Sequence, residues 1–177
     1  DVLQLYTTSW NDFIGAGDIS AVNAGTNLNG GGASGAVTLN LAIDSAVAFA
    51  DQTASAIVLK DYAETDVAVT SATTLAIDLA NGNTGTVTLG HSVTDIDFTN
   101  VPTNGISTFT LQVTQDGTGS RTMAINQVTV NGGSHATAKT PGGSGLTLST
   151  AAAKIDLLTF LFVDAGTPLL NSLLDFS

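Results

Sequence analysis

No cysteine occurs in the 177 residues. That absence removes a disulfide framework, a thiolate zinc site and a thiol nucleophile at once. A chain of this length can bury roughly 70% of its unfolded surface, so it holds a core without such staples. Charge is scarce too: 11% of residues are charged, less than half of the usual ~25%. Basic residues are scarcest, with 4 Lys and Arg against 15 Asp and Glu and a formal net charge of -11. Nucleic acid is therefore excluded as a partner, because phosphates are neutralised by Lys and Arg. An anionic membrane surface is disfavoured for the same reason. No run of 18 apolar residues is present, so no helical membrane span is expected. Neither a signal peptide nor an Asn-x-Ser/Thr sequon is visible, and the chain begins at Asp1, which reads as a processed product or a sequence without its leader.

What is present is an apolar fraction of 43%, spread through Thr, Ser, Asn and Gly in short alternating runs. That fraction separates the chain from disordered polar sequences. Val37, Leu39, Leu41 and Ile43 alternate with small or polar residues, as do Leu75, Ile77 and Leu79, then Val87 and Leu89. Val93 to Phe98 and Val128 to Val130 are further short strands, separated by Asn81-Gly82-Asn83, Asn100-Val101-Pro102 and Gly132-Gly133. About a dozen short strands with close turn signals predict an all-β fold, a β-sandwich of jelly-roll type. Leu157 to Val163, LLTFLFV, is a nearly continuous apolar run and reads as a buried central strand.

Residues 1–35 read as an extended N-terminal arm ending in a Gly-rich linker, with Asn27 to Gly35 too rich in glycine for regular structure. Residues 36–177 then form the sandwich domain. A weak likeness between VTLNLAIDSA (37–46) and TTLAIDLANG (73–82) suggests a sub-boundary near residue 70. Trp10 and Phe13 in the arm either anchor it on the core or reach a neighbouring subunit.

Ser107 to Thr122, STFTLQVTQDGTGSRT, reads as one β-hairpin. Phe109, Leu111 and Val113 share one face and Thr108, Thr110, Gln112 and Thr114 the other. Asp116, Gly117 and Gly119 supply the turn. Arg121, the only arginine, is placed to tie it through a bidentate ion pair with Asp116.

Residues 95–177 resemble a β-module of structural proteins of tailed phages, marine cyanophage-like ones in particular, found in tail fibres and capsid-surface proteins. The matching elements are DFTNVP from Asp97, TFTLQVTQDGTGSRT, Pro141-Gly142-Gly143, AAAKIDLLTFLFVDAGT and the terminal Asp175-Phe176-Ser177. Where such modules often carry tryptophan, this chain has Met123-Ala124-Ile125 and Ala138-Lys139-Thr140. The resemblance implies a packed virion module with no catalysis and no cofactor.

Catalytic and metal readings are weak on the residues. His91 and His135, the only histidines, sit at turn and loop positions without a nucleophile-elbow pattern. Asp95 and Asp97 share a strand face, but a paired-carboxylate glycosidase also wants aromatic sugar platforms, and the chain has one Trp and two Tyr. Asp61, Glu64 and Asp66 are the candidate calcium ligands, at a spacing unlike known calcium loops. The C-terminal Leu169, Leu170, Leu173, Leu174 and Phe176 would be an aggregation liability if exposed. They are expected in an inner strand or an oligomer contact.

The expected function is therefore structural: a non-enzymatic virion protein on a phage surface, either a capsid-decoration protein or a fibre- or knob-like appendage. Expected partners are copies of itself, a trimer being one such symmetry, and other virion proteins such as the major capsid protein. The acidic, Lys-poor surface would keep a crowded particle in solution. The alternative is a receptor- or glycan-binding adhesin module.

Overall fold

The computed structural model describes residues 21–25, 28–32, 36–41, 56, 58 and 60–177. The chain divides into two units, Asp1–Leu59 and Lys60–Ser177. This division lies nearer the weak boundary at residue 70 than the junction expected at 35. Trp10 and Phe13 lie outside the described residues.

In the first unit, β1 (Val22–Asn23), β2 (Leu28–Gly32) and β3 (Leu39–Leu41) form a three-stranded antiparallel sheet in the order β1-β2-β3. The loop expected over Asn27 to Gly35 is thus partly a strand. A ladder is built from backbone groups, so two strand neighbours can hold Leu28–Gly32 extended despite its glycines.

The second unit consists of two sheets around one core. The first holds β4 (Asp66–Ala68), β6 (Thr84–Leu89), β8 (Ile106–Gln115), β10 (Ile155–Val163) and β11 (Leu169–Phe176), in the order β11-β10-β8-β6-β4. The other holds β5 (Thr74–Asp78), β7 (Asp95–Thr99) and β9 (Val128–Val130), in the order β5-β7-β9. From β4 to β9 the chain alternates between sheets, and each strand pairs in parallel with the strand two before it. Parallel neighbours need a crossover connection; here the crossover is a strand of the opposite sheet rather than a helix. Only β8–β10 and β10–β11 are antiparallel.

The all-β sandwich expectation holds at this level, but a jelly roll is built from antiparallel Greek keys, and this pairing is not that. The expected hairpin at Ser107–Thr122 is not formed either. β8 has β10 and β6 as its neighbours, and the segment after Arg121 crosses to the other sheet, where Met123 bridges Val93 in parallel. Local alternation and turn residues are compatible with both topologies; the parallel partner of β8 lies more than 20 residues upstream and leaves no local mark.

Period-2 burial defines the core. Phe109, Leu111 and Val113 of β8, Leu158, Phe160 and Phe162 of β10, and Val87 and Leu89 of β6 face Leu75, Ile77, Ile96, Phe98 and Val128 of the smaller sheet. Phe98 is the bridge. Its ring centroid lies 4.9 Å from Phe162, 5.0 Å from Phe160 and 6.2 Å from Phe109, with interplanar angles of 58–70°, the edge-on geometry favoured by ring quadrupoles. Gly85 makes room for this cluster: a Cβ there would stand 2.8 Å from the Phe109 ring and 2.9 Å from the Val67 carbonyl.

Phe98→Ala should cost about 3–5 kcal/mol, the range for a fully buried aromatic leaving a cavity. Urea unfolding of the variant checks this, with exposed Thr88→Ala on β6 as a control near zero.

Candidate functional site

The loop after β8 is held by side chains acting as backbone. Gln115 is 2% exposed. Its Nε2 donates to the Arg121 carbonyl and its Oε1 accepts from the Arg121 N–H, both at 2.9 Å. The amide thus supplies the pair of bonds that a facing strand residue would have made. Asp116 Oδ1 accepts the N–H groups of Thr118 and Gly119 at 3.0 and 2.8 Å. Its Oδ2 receives both Arg121 Nη2 at 2.6 Å and Nε at 3.1 Å. The expected ion pair is present, but both guanidinium contacts converge on one oxygen, and they close a loop rather than a hairpin. Gly119 has φ 73° and a Cβ on it would lie 2.4 Å from the Thr150 carbonyl, so its glycine is required. Gly117 faces open space without positive φ; Ser120, at φ 59°, takes the second left-handed position instead.

The catalytic and metal candidates do not converge. Among the described residues no group of three His, Cys, Asp or Glu side chains could hold a metal ion, so Asp61, Glu64 and Asp66 are not gathered into a calcium site. Asp97 accepts a hydrogen bond from the Thr129 hydroxyl on the adjacent strand. Asp95 lies 3.7 Å from His135 Nδ1, with its Oδ1 buried and without a hydrogen-bond partner. His91 is exposed at a turn. A groove of about 600 Å³ runs between Met123–Asn126 and Thr137–Leu146. A second, of about 470 Å³, lies beyond Lys139 and Thr140 against Leu161 and Leu169. Neither is lined by an aromatic ring, the platform on which a sugar would stack.

The distinctive surface is the outer face of the five-stranded sheet, which is split in two. On β6 and β8 it presents Thr84, Thr86, Thr88, Thr108, Thr110, Gln112 and Thr114, with Thr84 beside Thr110 and Thr88 beside Thr114. On β10 and β11 it is mainly apolar, interrupted at its middle by Thr159 beside Asn171. Leu157 lies beside Leu173, Leu161 beside Leu169, and Ile155 beside Phe176, with Ile106 beside Val163 at one end. Within this strip Ile106 is 70% exposed, Leu173 55%, and Val163, Leu169 and Phe176 nearly half exposed. LLTFLFV is a central strand, as its composition predicted, but only its Leu158, Phe160 and Phe162 side is sealed. β11 is an edge strand, which rules out the inner-strand alternative. Of its five interface candidates, Leu170 is 2% exposed and belongs to the core; Leu169, Leu173, Leu174 and Phe176 remain available.

Two buried or paired carboxylates fix this edge. Asp156, 1% exposed, accepts from Ser149 N–H and Oγ and from Asp175 N–H at 2.6–3.0 Å. Asp175 in turn pairs with Lys154 Nζ at 2.7 Å. Sequence reading missed Asp156 and Gln115; a lone polar residue at an inward position of an alternating strand was the available signal for both.

No family model, curated protein or solved structure matches the chain.

Gln115→Leu should cost about 1–3 kcal/mol in urea unfolding, because it orphans the Arg121 N–H and carbonyl in a partly buried setting. Hydrogen bonding from Arg121, aided by the Gly119 and Thr118 N–H groups, holds the Asp116 carboxyl below its ordinary 3.8. The unfolded chain therefore binds this proton first. The loop's contribution is whole above 3.8 and disappears as pH falls through the lower folded value. In thermal melts across that acid range, Asp116→Asn should lose less stability on acidification than the parent chain does.

Proposed function

We propose that this chain is a non-enzymatic structural protein of a tailed-phage particle, exposed on its surface as a capsid-decoration or fibre- or knob-like appendage protein, and that it works by subunit association. The observation carrying this reading is the apolar strip along β10 and β11, broken only by Thr159 beside Asn171, on a sheet whose remaining outer face is polar and mostly threonine. A large apolar strip beside a polar field marks an association site on an otherwise water-compatible surface. The likeness of residues 95–177 to phage virion modules supplies the setting. Its partners are copies of itself and other virion proteins such as the major capsid protein.

The adhesin alternative draws on the two grooves flanking Lys139 and Thr140. It is the weaker reading, because their linings are mainly aliphatic and carry no aromatic platform. Antibody-gold labelling of phage particles encoding the chain tests the choice. Regular label on the head or tail surface is expected. Label confined to the host envelope, together with hits on a glycan array, would replace the proposal with the adhesin reading.

A further inference from the structure

The exposed edge of β11 has a definite bonding phase. Leu170 N–H points away from β10, to the Lys139 carbonyl at 2.8 Å. Asp175 N–H points toward β10, where it meets Asp156 Oδ1 at 3.0 Å. Backbone direction alternates along a strand, so the N–H and C=O groups of Ser172 and Leu174 both face the open edge. Lys139 covers one end of this edge through its bridge to Leu169, and the kink at Asp175, φ 67°, closes the other. A short window centred on Leu173 remains.

We infer that this window pairs with the same window of a second copy, antiparallel about a two-fold axis at Leu173, so that two five-stranded sheets become one. Ser172 of each copy then faces Leu174 of the other, giving four N–H···O=C bonds across the seam. Leu173 meets its own counterpart on the outer face, and the half-exposed Leu174 is covered from the opposite face.

Three observations favour a second copy over another occupant. The window is self-complementary, since donors and acceptors at 172 and 174 exchange under the two-fold. Two of the devices that normally protect an edge are missing, since LLNSLLDF contains neither Pro nor Lys, and the bulge between the Leu157–Leu173 and Ile155–Phe176 pairs bounds the window at its C-terminal end. Electrostatics also permit the contact. In a chain of net charge -11, the only charge on β11 is Asp175, which is already paired with Lys154. In the paired register it lies opposite the neutral Asn171 of the second copy, so no like charges meet at the seam. The trimer entertained from sequence does not arise from this pairing. The inference rests on the association reading above, but fixes its geometry.

The test uses the full chain, whose lack of cysteine makes single-cysteine variants clean. Residues opposite each other in a non-hydrogen-bonded antiparallel pair have Cα atoms about 4.5 Å apart, within disulfide range. Leu173→Cys treated with diamide should give a disulfide-linked dimer, whereas exposed Thr88→Cys should not. Ser172→Pro removes an N–H that makes no bond among the described residues, so the fold should survive with an unchanged melting curve under dilute conditions. It removes two of the four seam bonds, and self-association by sedimentation equilibrium should weaken roughly 10- to 100-fold. A monomeric parent chain at high micromolar concentration, crosslinking of Leu173→Cys no better than Thr88→Cys, or undiminished association of Ser172→Pro would each overturn the pairing. Particle labelling without the crosslink would reject only the pairing. The crosslink without particle labelling would reject only the virion reading.

Discussion

Face-to-face packing through Phe98 is the constraint on which the rest of the second unit depends. One ring from the smaller sheet meets three rings from the larger one. Because the chain passes back and forth between the sheets from β4 to β9, the smaller sheet and the β4-β6-β8 part of the larger one are assembled by strands distant in sequence, and β10–β11 is the one short hairpin of this unit. The inter-sheet core is therefore what places β4, β6 and β8 side by side. Gly85 belongs to the same constraint: only the absence of a side chain there lets Phe109 reach the cluster.

Such winding leaves ends that ordinary turns cannot satisfy. β8 is flanked by β6 and β10 to its end, but after it the chain does not return beside itself, so the Arg121 segment lacks the cross-strand bonds a hairpin would have provided. The Gln115 amide supplies those bonds to Arg121, and Asp116 gathers the following N–H groups while Arg121 neutralises it. At the same end of the sheet, on neighbouring β10, Asp156 does similar work, accepting three donors from the Ser149 turn and the β11 kink. Buried polar groups are tolerated where every member is satisfied, and these two lie at the places where the ladder would otherwise fail.

This explains which parts were legible in the sequence. Inward residues such as Phe109, Leu111, Leu75 and Ile77 follow from alternation alone, because side-chain period is a local property of a strand. The Asp116–Arg121 contact was legible for the same reason, being five residues apart. Partners were not legible. TFTLQVTQDGTGSRT carries the alternation and glycine of a hairpin, yet the choice between a hairpin and a parallel crossover is made by Phe98 and the distant β6. Polar residues at inward positions, Gln115 and Asp156, mark strand ends only once the neighbours are known. LLTFLFV misled in a more useful way. Near-continuous apolarity normally means that both faces of a strand are covered, but here the described residues cover only one.

That mismatch between composition and burial bears on how the surface is organised. If apolar outward residues merely reflected tolerance, they would be scattered among the outward positions of all five strands. Instead β6 and β8 present mostly threonine, whereas β10 and β11 present leucine, isoleucine and phenylalanine in cross-strand rows broken only by the Thr159–Asn171 pair. The apolar rows also end at the sheet edge with open backbone groups, rather than at its covered centre. A single edge thus collects unburied apolar area, unpaired hydrogen-bonding groups and locally neutralised charge. Each is costly or unremarkable alone; together they fit a surface completed by another strand, because a strand is the one structure that answers all three at once.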